Sequence, residues 1–200
     1  MANSMSTSTE GGGQSSPGPT GRGSVLLTPT AIQRALTRIA HEIAERNEDG
    51  RRVVILGIQA GGAPLSARIA RHLEAIWDHA VPQGVIDISM HRDDLDQRAA
   101  PQVLPTHIPC DVTGRTVVLV DDVLFSGRTI RAAMDSLNDF GRPAQIQLAA
   151  LVDRGHRELP IKADFVGKNV PTARTEKVLV RLQELHGTDE VTLERGGDNP

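Results

Sequence analysis

The sequence predicts an α/β protein whose open, mostly parallel sheet is flanked by helices. Short apolar segments rich in β-branched residues recur along the chain, and segments of helical periodicity alternate with them. Glycine-containing loops join several of these strands to the helices that follow. In such sheets, ligands bind beyond the carboxyl ends of the strands, so these loops are the first place to look for a site.

The first helix is predicted to begin at Pro29, because Thr28 can cap it and proline suits the first helical position. It extends to about Asn47, and Gly50 ends the segment. Its inward face is an apolar stripe at helical spacing, formed by Ile32, Leu36, Ile39 and Ile43.

The other elements follow from the same patterns. Further helices are predicted from Pro64 and over residues 129–140, and residues 91–106 have no periodicity and are typical of a mobile loop. Strands are predicted at residues 52–58, 85–90, 117–120, 146–152, 163–166, 178–182 and 191–193.

Residues 1–24 are almost wholly Ser, Thr, Gly and Pro, a composition that cannot offset the entropy of ordering the chain. We therefore expect a disordered leader at residues 1–24 and a single domain at residues 25–200. A chain of 200 residues is consistent with that division.

Composition excludes several classes of protein. The formal net charge of -3 argues against a globally basic nucleic-acid binder, and an aromatic content of 2% without tyrosine leaves no stacking platform for single strands. Any RNA recognition would rest on Arg, Lys, His and small polar groups. No apolar run is long enough to span a membrane, and the single Cys110 fits a reducing cytoplasm.

The strongest motif lies at residues 117–132, which read VVLVDDVLFSGRTIRA. Asp121 and Asp122 follow an apolar strand, where two adjacent carboxylates need hydroxyls, cations or backbone donors. Gly127 lets the backbone approach a ligand, and the helix start beyond it favours an anion. One end therefore suits a phosphate and the other a polyol or a metal ion, which together describe a sugar phosphate.

These residues resemble the 5-phosphoribosyl 1-pyrophosphate (PRPP) signature of type I phosphoribosyltransferases. Residues 151–172 (LVDRGHRELPIKADFVGKNVPT) closely resemble the PyrR family of pyrimidine attenuation regulators, which are bifunctional with uracil phosphoribosyltransferase activity. Residues 34–42 (RALTRIAHE) and 92–95 (RDDL) also match, so the resemblance covers about residues 28–182. It implies the type I phosphoribosyltransferase fold, with a small hood beside the sheet.

The resemblance also implies a PRPP site. Asp121 and Asp122 would hold the ribose hydroxyls, and residues 126–129, here called the phosphate loop, would take the 5-phosphate. Mg²⁺ would accompany the pyrophosphate, although no residue is identified as its direct ligand. Arg92 would close over the site and contact pyrophosphate. The substrate-binding residues of this motif are Asp121, Asp122, Phe125, Ser126, Gly127, Arg128 and Thr129.

For the base, the resemblance places Val166 and its backbone against the uracil edge, with Asp153 and Arg154 close to the base or pyrophosphate. Phe165 could equally be a core residue. Phe125 stands where purine salvage enzymes carry an acidic residue, which favours a pyrimidine substrate.

The loop after the first predicted strand departs from the family pattern. It reads Gln59-Ala60-Gly61-Gly62, where a basic residue beside the glycine is expected to bind pyrophosphate. Backbone N–H groups of Ala60, Gly61 and Gly62 can still meet an anion. A lost charge-assisted contact is worth about 1.5–3 kcal/mol, which bears on turnover more than on binding of UMP.

A regulatory role follows from the resemblance as well. In the family, a homo-oligomer, a dimer or higher, binds a hairpin in the leader of the pyrimidine-operon messenger, and UMP strengthens that binding. The matching residues here are Arg34, Thr37, Arg38, His41, His156, Arg157 and Lys162, which from sequence alone could also be an ordinary solvated face. Three functions stay open: a bifunctional attenuator and transferase, a UMP-sensing RNA regulator with little or no transferase activity, and a plain uracil salvage enzyme.

Overall fold

A computed structural model describes residues 23–90 and 104–195. The predicted leader, except for its last two residues, and Arg92 with the rest of the RDDL segment lie outside the described residues. The elements in chain order are β1 Ser24–Leu27, α1 Pro29–Arg46, β2 Val53–Ile58, α2 Gly62–Trp77, β3 Gln83–Ile86, β4 Thr116–Leu124, α3 Arg128–Leu137, β5 Gln145–Asp153, β6 Phe165–Asn169, β7 Lys177–Arg181, α4 Gln183–His186 and β8 Glu190–Glu194.

The central sheet has five strands in the order β3-β2-β4-β5-β6, and every neighbouring pair is parallel. Its two faces bury two separate apolar clusters. One cluster, here called the α1 cluster, joins α1 and α2 to the sheet, and the other, here called the α3 cluster, joins α3 to it. The predicted open, parallel sheet flanked by helices is confirmed, and the loops at its carboxyl edge are left to form a site.

The hood is a second, antiparallel sheet of three strands in the order β1-β8-β7. Arg68 of α2 fastens it, because its guanidinium donates to Glu184 Oε1 at 2.9 Å and to Asp189 Oδ2 at 2.8 Å. Lys168 of β6 adds a bond from Nζ to the carbonyl of Leu26, at 2.9 Å. The hood therefore rests on the α2 side of the sheet and at its β6 edge.

The predicted start of the first helix is confirmed, since Thr28 caps α1 and Pro29 occupies its first turn. Three strands differ from their predicted bounds by more than one residue. β3 begins two residues before the predicted strand and ends at Ile86, because the backbone N–H of Asp87 turns to the Thr106 hydroxyl at 2.9 Å. β6 begins at Phe165, because the Asp164 carboxylate takes the backbone N–H of Leu148 in place of a strand partner.

The third difference matters for the site. β4 extends to Leu124, past both aspartates, because β5 pairs with it as far as Leu124 and Asp153. The acidic pair therefore sits within a strand, not in the loop after it.

Within the part of the chain that the structure describes, no helix is long and apolar enough to cross a membrane.

Candidate functional site

The two aspartates of the acidic pair are successive residues of β4, and each carboxylate also has surroundings of its own. Asp121 is only 6% exposed and lines a cavity of about 290 Å³ at the carboxyl edge. Asp122 faces α2, where its carboxylate lies against Gly61. The two carboxylates thus serve neighbouring parts of the site, the phosphate loop and the loop after β2.

The phosphate loop forms most of the wall of the Asp121 cavity. Gly127 has a φ of +93°, a left-handed conformation that favours glycine, and α3 begins at the next residue. The first N–H groups of α3 therefore open onto the cavity, as an anion requires. The cavity is lined by Asp121, Val123, Leu124, Phe125, Ser126, Gly127, Arg128, Thr129, Ile130 and Glu158.

The loop after β2 is packed tightly against β4. A Cβ atom on Gly61 would lie 2.2 Å from Asp122 Oδ2, so only glycine fits without displacing the carboxylate. The peptide bond between Gln59 and Ala60 is cis, and Gly62 begins α2. Residues 59–62 include no cationic side chain. Only backbone N–H groups of this loop and the start of α2 can therefore bind an anion here.

Burial raises the pKa of the Asp122 carboxyl above its ordinary value, and the hydrogen bond from the backbone N–H of Val123, at 2.8 Å, opposes only part of this effect. An approaching cation or hydroxyl donor would stabilise the ionised form. The ribose and metal interpretation of the sequence is compatible with such a group.

Residues 155–162, here called the RELP segment, cover the back of the phosphate loop. The backbone N–H groups of Glu158 and Leu159 both donate to the carbonyl of Ser126, at 3.0 and 3.2 Å. The side chain of Glu158 pairs with Arg128, with Nε to Oε2 at 2.9 Å. The phosphate loop and the RELP segment therefore form one hydrogen-bonded unit.

Arg157, predicted to contact RNA, points inward. Its guanidinium donates to the carbonyl of Phe125 at 2.8 Å and to that of Ile161 at 2.9 Å, and it also pairs with Asp153. Asp153, predicted to lie near the base or pyrophosphate, further accepts the N–H of Gly155 at 2.9 Å. Arg157 and Asp153 therefore hold the backbone around them in place, in addition to any contact that they make with a ligand.

Arg154 is buried, and its guanidinium carbon lies 4.2 Å from the centre of the Phe125 ring. It donates to the Thr172 hydroxyl at 3.2 Å and to the carbonyl of Ala173 at 2.9 Å. Burial lowers its pKa. Arg154 therefore ties Phe125 to the loop that follows β6, and the ring of His156 meets Phe125 edge-on at 6.2 Å.

Val166 lies level with Ala150 and Asp121 in the register of the sheet. Its carbonyl accepts Nη2 of Arg38 at 3.0 Å, so this backbone group already has a partner. Phe165 is buried in the α1 cluster, which leaves it a core residue. Lys168 and Asn169, beside Val152 and Asp153, form the carboxyl edge of β6.

The residues predicted to bind RNA fall into two groups. Arg34, Thr37, Arg38 and His41 lie on the outer side of α1, and Arg38 also bonds Gly167 of β6 at 2.6 Å. His156, Arg157 and Lys162 belong to the RELP segment, whose Ile161 packs with the α3 cluster. The groups are therefore anchored to different faces of the sheet.

Among the described residues, no group of three or more His, Cys, Asp or Glu side chains could hold a metal ion by itself. Mg²⁺ usually keeps several waters and takes one or two carboxylates together with substrate phosphates. Asp121 and Asp122 fit that pattern, because they offer hard oxygen ligands beside an anion site.

The sequence interpretation missed Glu158, which lines the cavity and pairs with Arg128. It also missed that Arg157 braces the phosphate loop. The only sequence signal was the Arg157-Glu158 pair inside a segment already noted for its resemblance. Nothing local revealed that this segment folds back on a loop about thirty residues earlier.

Comparisons with known proteins agree with this architecture. The family model described as the phosphoribosyl transferase domain matches residues 27–184. Similar solved structures include hypoxanthine phosphoribosyltransferase of Trypanosoma cruzi (21% identity, TM-score 0.67, covering 86% of this chain and 94% of that one). Hypoxanthine-guanine phosphoribosyltransferase of Bacillus anthracis is another (19% identity, TM-score 0.66, 88% and 99% covered). At these identities the likeness concerns the fold, which confirms the predicted type I fold.

Sequence relatives are much closer. The bifunctional protein PyrR of Chloroflexus aurantiacus is 58% identical over 175 residues, which are 87% of this chain and 96% of the relative. The bifunctional protein PyrR of Roseiflexus sp. is 63% identical over 81% of this chain and 89% of the relative. That of Thermus thermophilus is 55% identical over 86% of this chain and 96% of the relative. The expected resemblance is confirmed, and the chain belongs to the phosphoribosyl transferase domain family and, within it, to the bifunctional PyrR family.

Proposed function

We propose that the protein is a UMP-responsive, RNA-binding attenuator of pyrimidine biosynthesis genes that also transfers phosphoribosyl from PRPP to uracil, giving UMP and pyrophosphate. One observation carries the proposal: Asp121 and the phosphate loop line one cavity at the carboxyl edge of a parallel sheet. The relatives named as bifunctional PyrR proteins supply the two activities.

The phosphate loop suits the 5-phosphate of PRPP or UMP. Its N–H groups at the start of α3, the hydroxyls of Ser126 and Thr129, and Arg128 all line the cavity. Asp121 and Asp122 would take the ribose hydroxyls, and Mg²⁺ would neutralise the pyrophosphate with water retained in its shell. Arg92 remains the proposed pyrophosphate contact.

The transfer reaction develops positive charge on the sugar and negative charge on the leaving pyrophosphate. Fixed charges and dipoles should therefore supply most of the rate enhancement. Asp121 and Asp122 would stabilise the sugar, while the start of α2, beside Asp122, would meet the leaving group with backbone donors alone. Phe125, held by Arg154, would border a pyrimidine better than an acidic residue would, and Val166 and Asp153 complete the proposed uracil side.

RNA would bind by shape and phosphate contacts, since the chain lacks aromatic platforms. The exposed side chains of Arg34, His41 and Lys162 suit that role. Thr37, Arg38, His156 and Arg157 complete the proposed surface, although Arg157 also braces the phosphate loop. The homo-oligomer, a dimer or higher, and the cytoplasmic location stay predictions.

The transferase claim is tested by uracil-dependent release of pyrophosphate from PRPP in the presence of Mg²⁺. We expect turnover to fall at least about a hundredfold in Asp122→Asn. This variant removes a fixed negative charge that would stabilise the positive charge developing on the sugar. Wild-type release no faster than that of the variant would remove the enzyme claim.

The regulatory claim is tested by gel shift of an RNA hairpin from a pyrimidine-operon leader, with and without UMP. We expect RNA affinity to rise with UMP and to fall in a His41→Ala variant. Equal, weak binding to any hairpin would favour a plain salvage enzyme.

A UMP-sensing regulator with little or no turnover is the second candidate. The uncharged loop over residues 59–62 favours it, because the expected cation beside the glycine is missing. Tight UMP-dependent RNA binding together with negligible pyrophosphate release would identify this case.

A further inference from the structure

The RELP segment carries three of the proposed RNA contacts and also forms one wall of the nucleotide cavity. Two backbone bonds join Glu158 and Leu159 to Ser126, and Arg157 bonds the carbonyl of Phe125. These bonds connect the phosphate loop directly to the segment that holds three of the proposed RNA contacts. This link needs no relay through the core.

Glu158 is the unusual member of this wall, because it places a carboxylate in a cavity suited to a phosphate. Its Oε2 lies 2.9 Å from Nε of Arg128, and both side chains are partly exposed, at 38% and 50%. A 5-phosphate carries almost two negative charges at neutral pH, so it would repel Glu158 and compete with it for Arg128. Without a nucleotide, the carboxylate of Glu158 supplies the negative charge beside Arg128 that the phosphate would otherwise supply.

The turn that precedes Glu158 has a left-handed backbone conformation. Gly155 and His156 both have positive φ, at 77° and 60°, and a left-handed histidine is held only by its surroundings. One such contact is the bond between His156 Nε2 and the carbonyl of Thr172, at 2.5 Å. A displacement of Glu158 would therefore act on a turn that is already strained.

We propose that Glu158 competes with the 5′-phosphate of the nucleotide for Arg128, and that its displacement is the step by which UMP alters the RNA-binding surface of the RELP segment. The inference rests on the proposed function, since it names the residue that couples its two activities. Glu158 is a positioning residue here and takes no part in the transfer chemistry.

The test uses the full chain and the variant Glu158→Gln, which keeps the size of the side chain and removes its charge. Binding of UMP and of uridine is measured by calorimetry, and binding of the leader hairpin by gel shift with and without UMP. Glu190→Gln is the matched control, because Glu190 also lies within 3.6 Å of an arginine, Arg181, but on the hood.

We expect Glu158→Gln to bind UMP about three- to tenfold more tightly, as loss of one partly screened like charge predicts, and uridine with unchanged affinity. The ratio of RNA affinities with and without UMP should fall toward one, because the variant no longer has a charge to displace. Glu190→Gln should behave as the wild type does. A melting curve checks that the variant is folded, which the exposure of Glu158 favours.

If the ratio of RNA affinities with and without UMP is the same in Glu158→Gln as in the wild type, the inference is overturned and the proposed function is left intact. Equal tightening for UMP and uridine would overturn it too, because the effect would then not concern the phosphate. A wild type whose RNA binding ignores UMP would overturn the proposed regulation, and the inference with it.

Discussion

Two glycine-containing loops face each other across the carboxyl edge of the sheet, and they are built by different means. The loop over residues 59–62 is shaped by packing, since Gly61 lies directly against the buried carboxylate of Asp122. The phosphate loop is shaped by polar contacts, since Glu158 and Leu159 bond its backbone or side chains and Arg157 bonds the carbonyl of Phe125 just before it. The first is sensitive to volume and the second to charge.

This difference bears on the two proposed activities. The phosphate loop has one cation, Arg128, and backbone donors of its own, so the proposed binding of a nucleotide would need no further cation. In the proposed reaction, the loop over residues 59–62 would have to stabilise the leaving pyrophosphate with backbone groups alone. We therefore expect this loop to limit turnover more than it limits binding of UMP.

The largest expected effect is that of removing the brace of the phosphate loop. Arg157→Ala leaves the carbonyls of Phe125 and Ile161 without this donor and breaks the half-buried pair with Asp153. We expect the free energy of unfolding to fall by about 2–4 kcal/mol, and UMP affinity to fall with it. Urea denaturation and calorimetry measure the two quantities.

Arg181→Ala is the matched control, because it removes an exposed arginine 3.6 Å from Glu190 and should change stability by no more than about 0.5 kcal/mol. If Arg157→Ala keeps both stability and UMP affinity but loses RNA binding, its side chain is an RNA contact only.

A volume change should affect the other loop next. Gly61→Ala would bring Cβ to 2.2 Å from Asp122 Oδ2, so the carboxylate must move, at a cost of about 1–3 kcal/mol. Urea denaturation of Gly61→Ala, Asp122→Ala and the double variant forms a cycle that isolates this contact. A destabilisation by Gly61→Ala that is just as large when Asp122 is already alanine would show that the clash is not its cause.

Adding a charge to the uncharged loop should have a smaller effect. Ala60 is exposed, so Ala60→Arg can place a guanidinium beside the proposed pyrophosphate position without a clash. We expect the KM for PRPP to fall about three- to tenfold, corresponding to about 0.7–1.4 kcal/mol, and UMP affinity to stay within about twofold. Ala60→Gln supplies length without charge as the control. Equal tightening of PRPP and UMP would place the new charge on the wrong side of the site.

The smallest expected effect is a pH dependence at Asp122. Because burial raises the pKa of this carboxyl, the folded chain holds the proton more tightly than the unfolded chain does. The contribution of Asp122 to the free energy of unfolding is thus greatest at low pH. It is lost as pH rises from the pKa of the unfolded chain, about 4, to the raised pKa of the folded chain. The stability of Asp122→Asn relative to the wild type should therefore increase over that range, measured by urea denaturation at several pH values.

Asp111→Asn provides a control of opposite sign. The hydrogen bond from the backbone N–H of Thr113 lowers the pKa of Asp111, so the wild-type contribution of this group grows as pH rises and the variant lacks it. The same trend in both variants would mean that net charge, and not the burial of Asp122, sets the pH dependence.

Much of this protein was readable from local sequence. The capped start and apolar stripe of α1, the alternation of strands and helices and the motif over residues 117–132 each depend on residues within a few positions of one another. Local propensities and short-range spacing fix such features, and the structure reproduces them.

The tertiary structure alone decided how the two sides of the site differ. Continued pairing with β5 carries β4 past Asp121 and Asp122, so that Asp121 lines the cavity and Asp122 lies against Gly61. The contacts of Arg157 and Glu158 join positions about thirty residues apart, and the contact of Gly61 with Asp122 spans about sixty. No spacing in the sequence encodes these contacts, because they arise only when the strands are ordered side by side and their loops meet at one edge. The sequence by itself predicted where a phosphate would bind, and the fold decided that the carboxylate of Glu158 lies there beside Arg128.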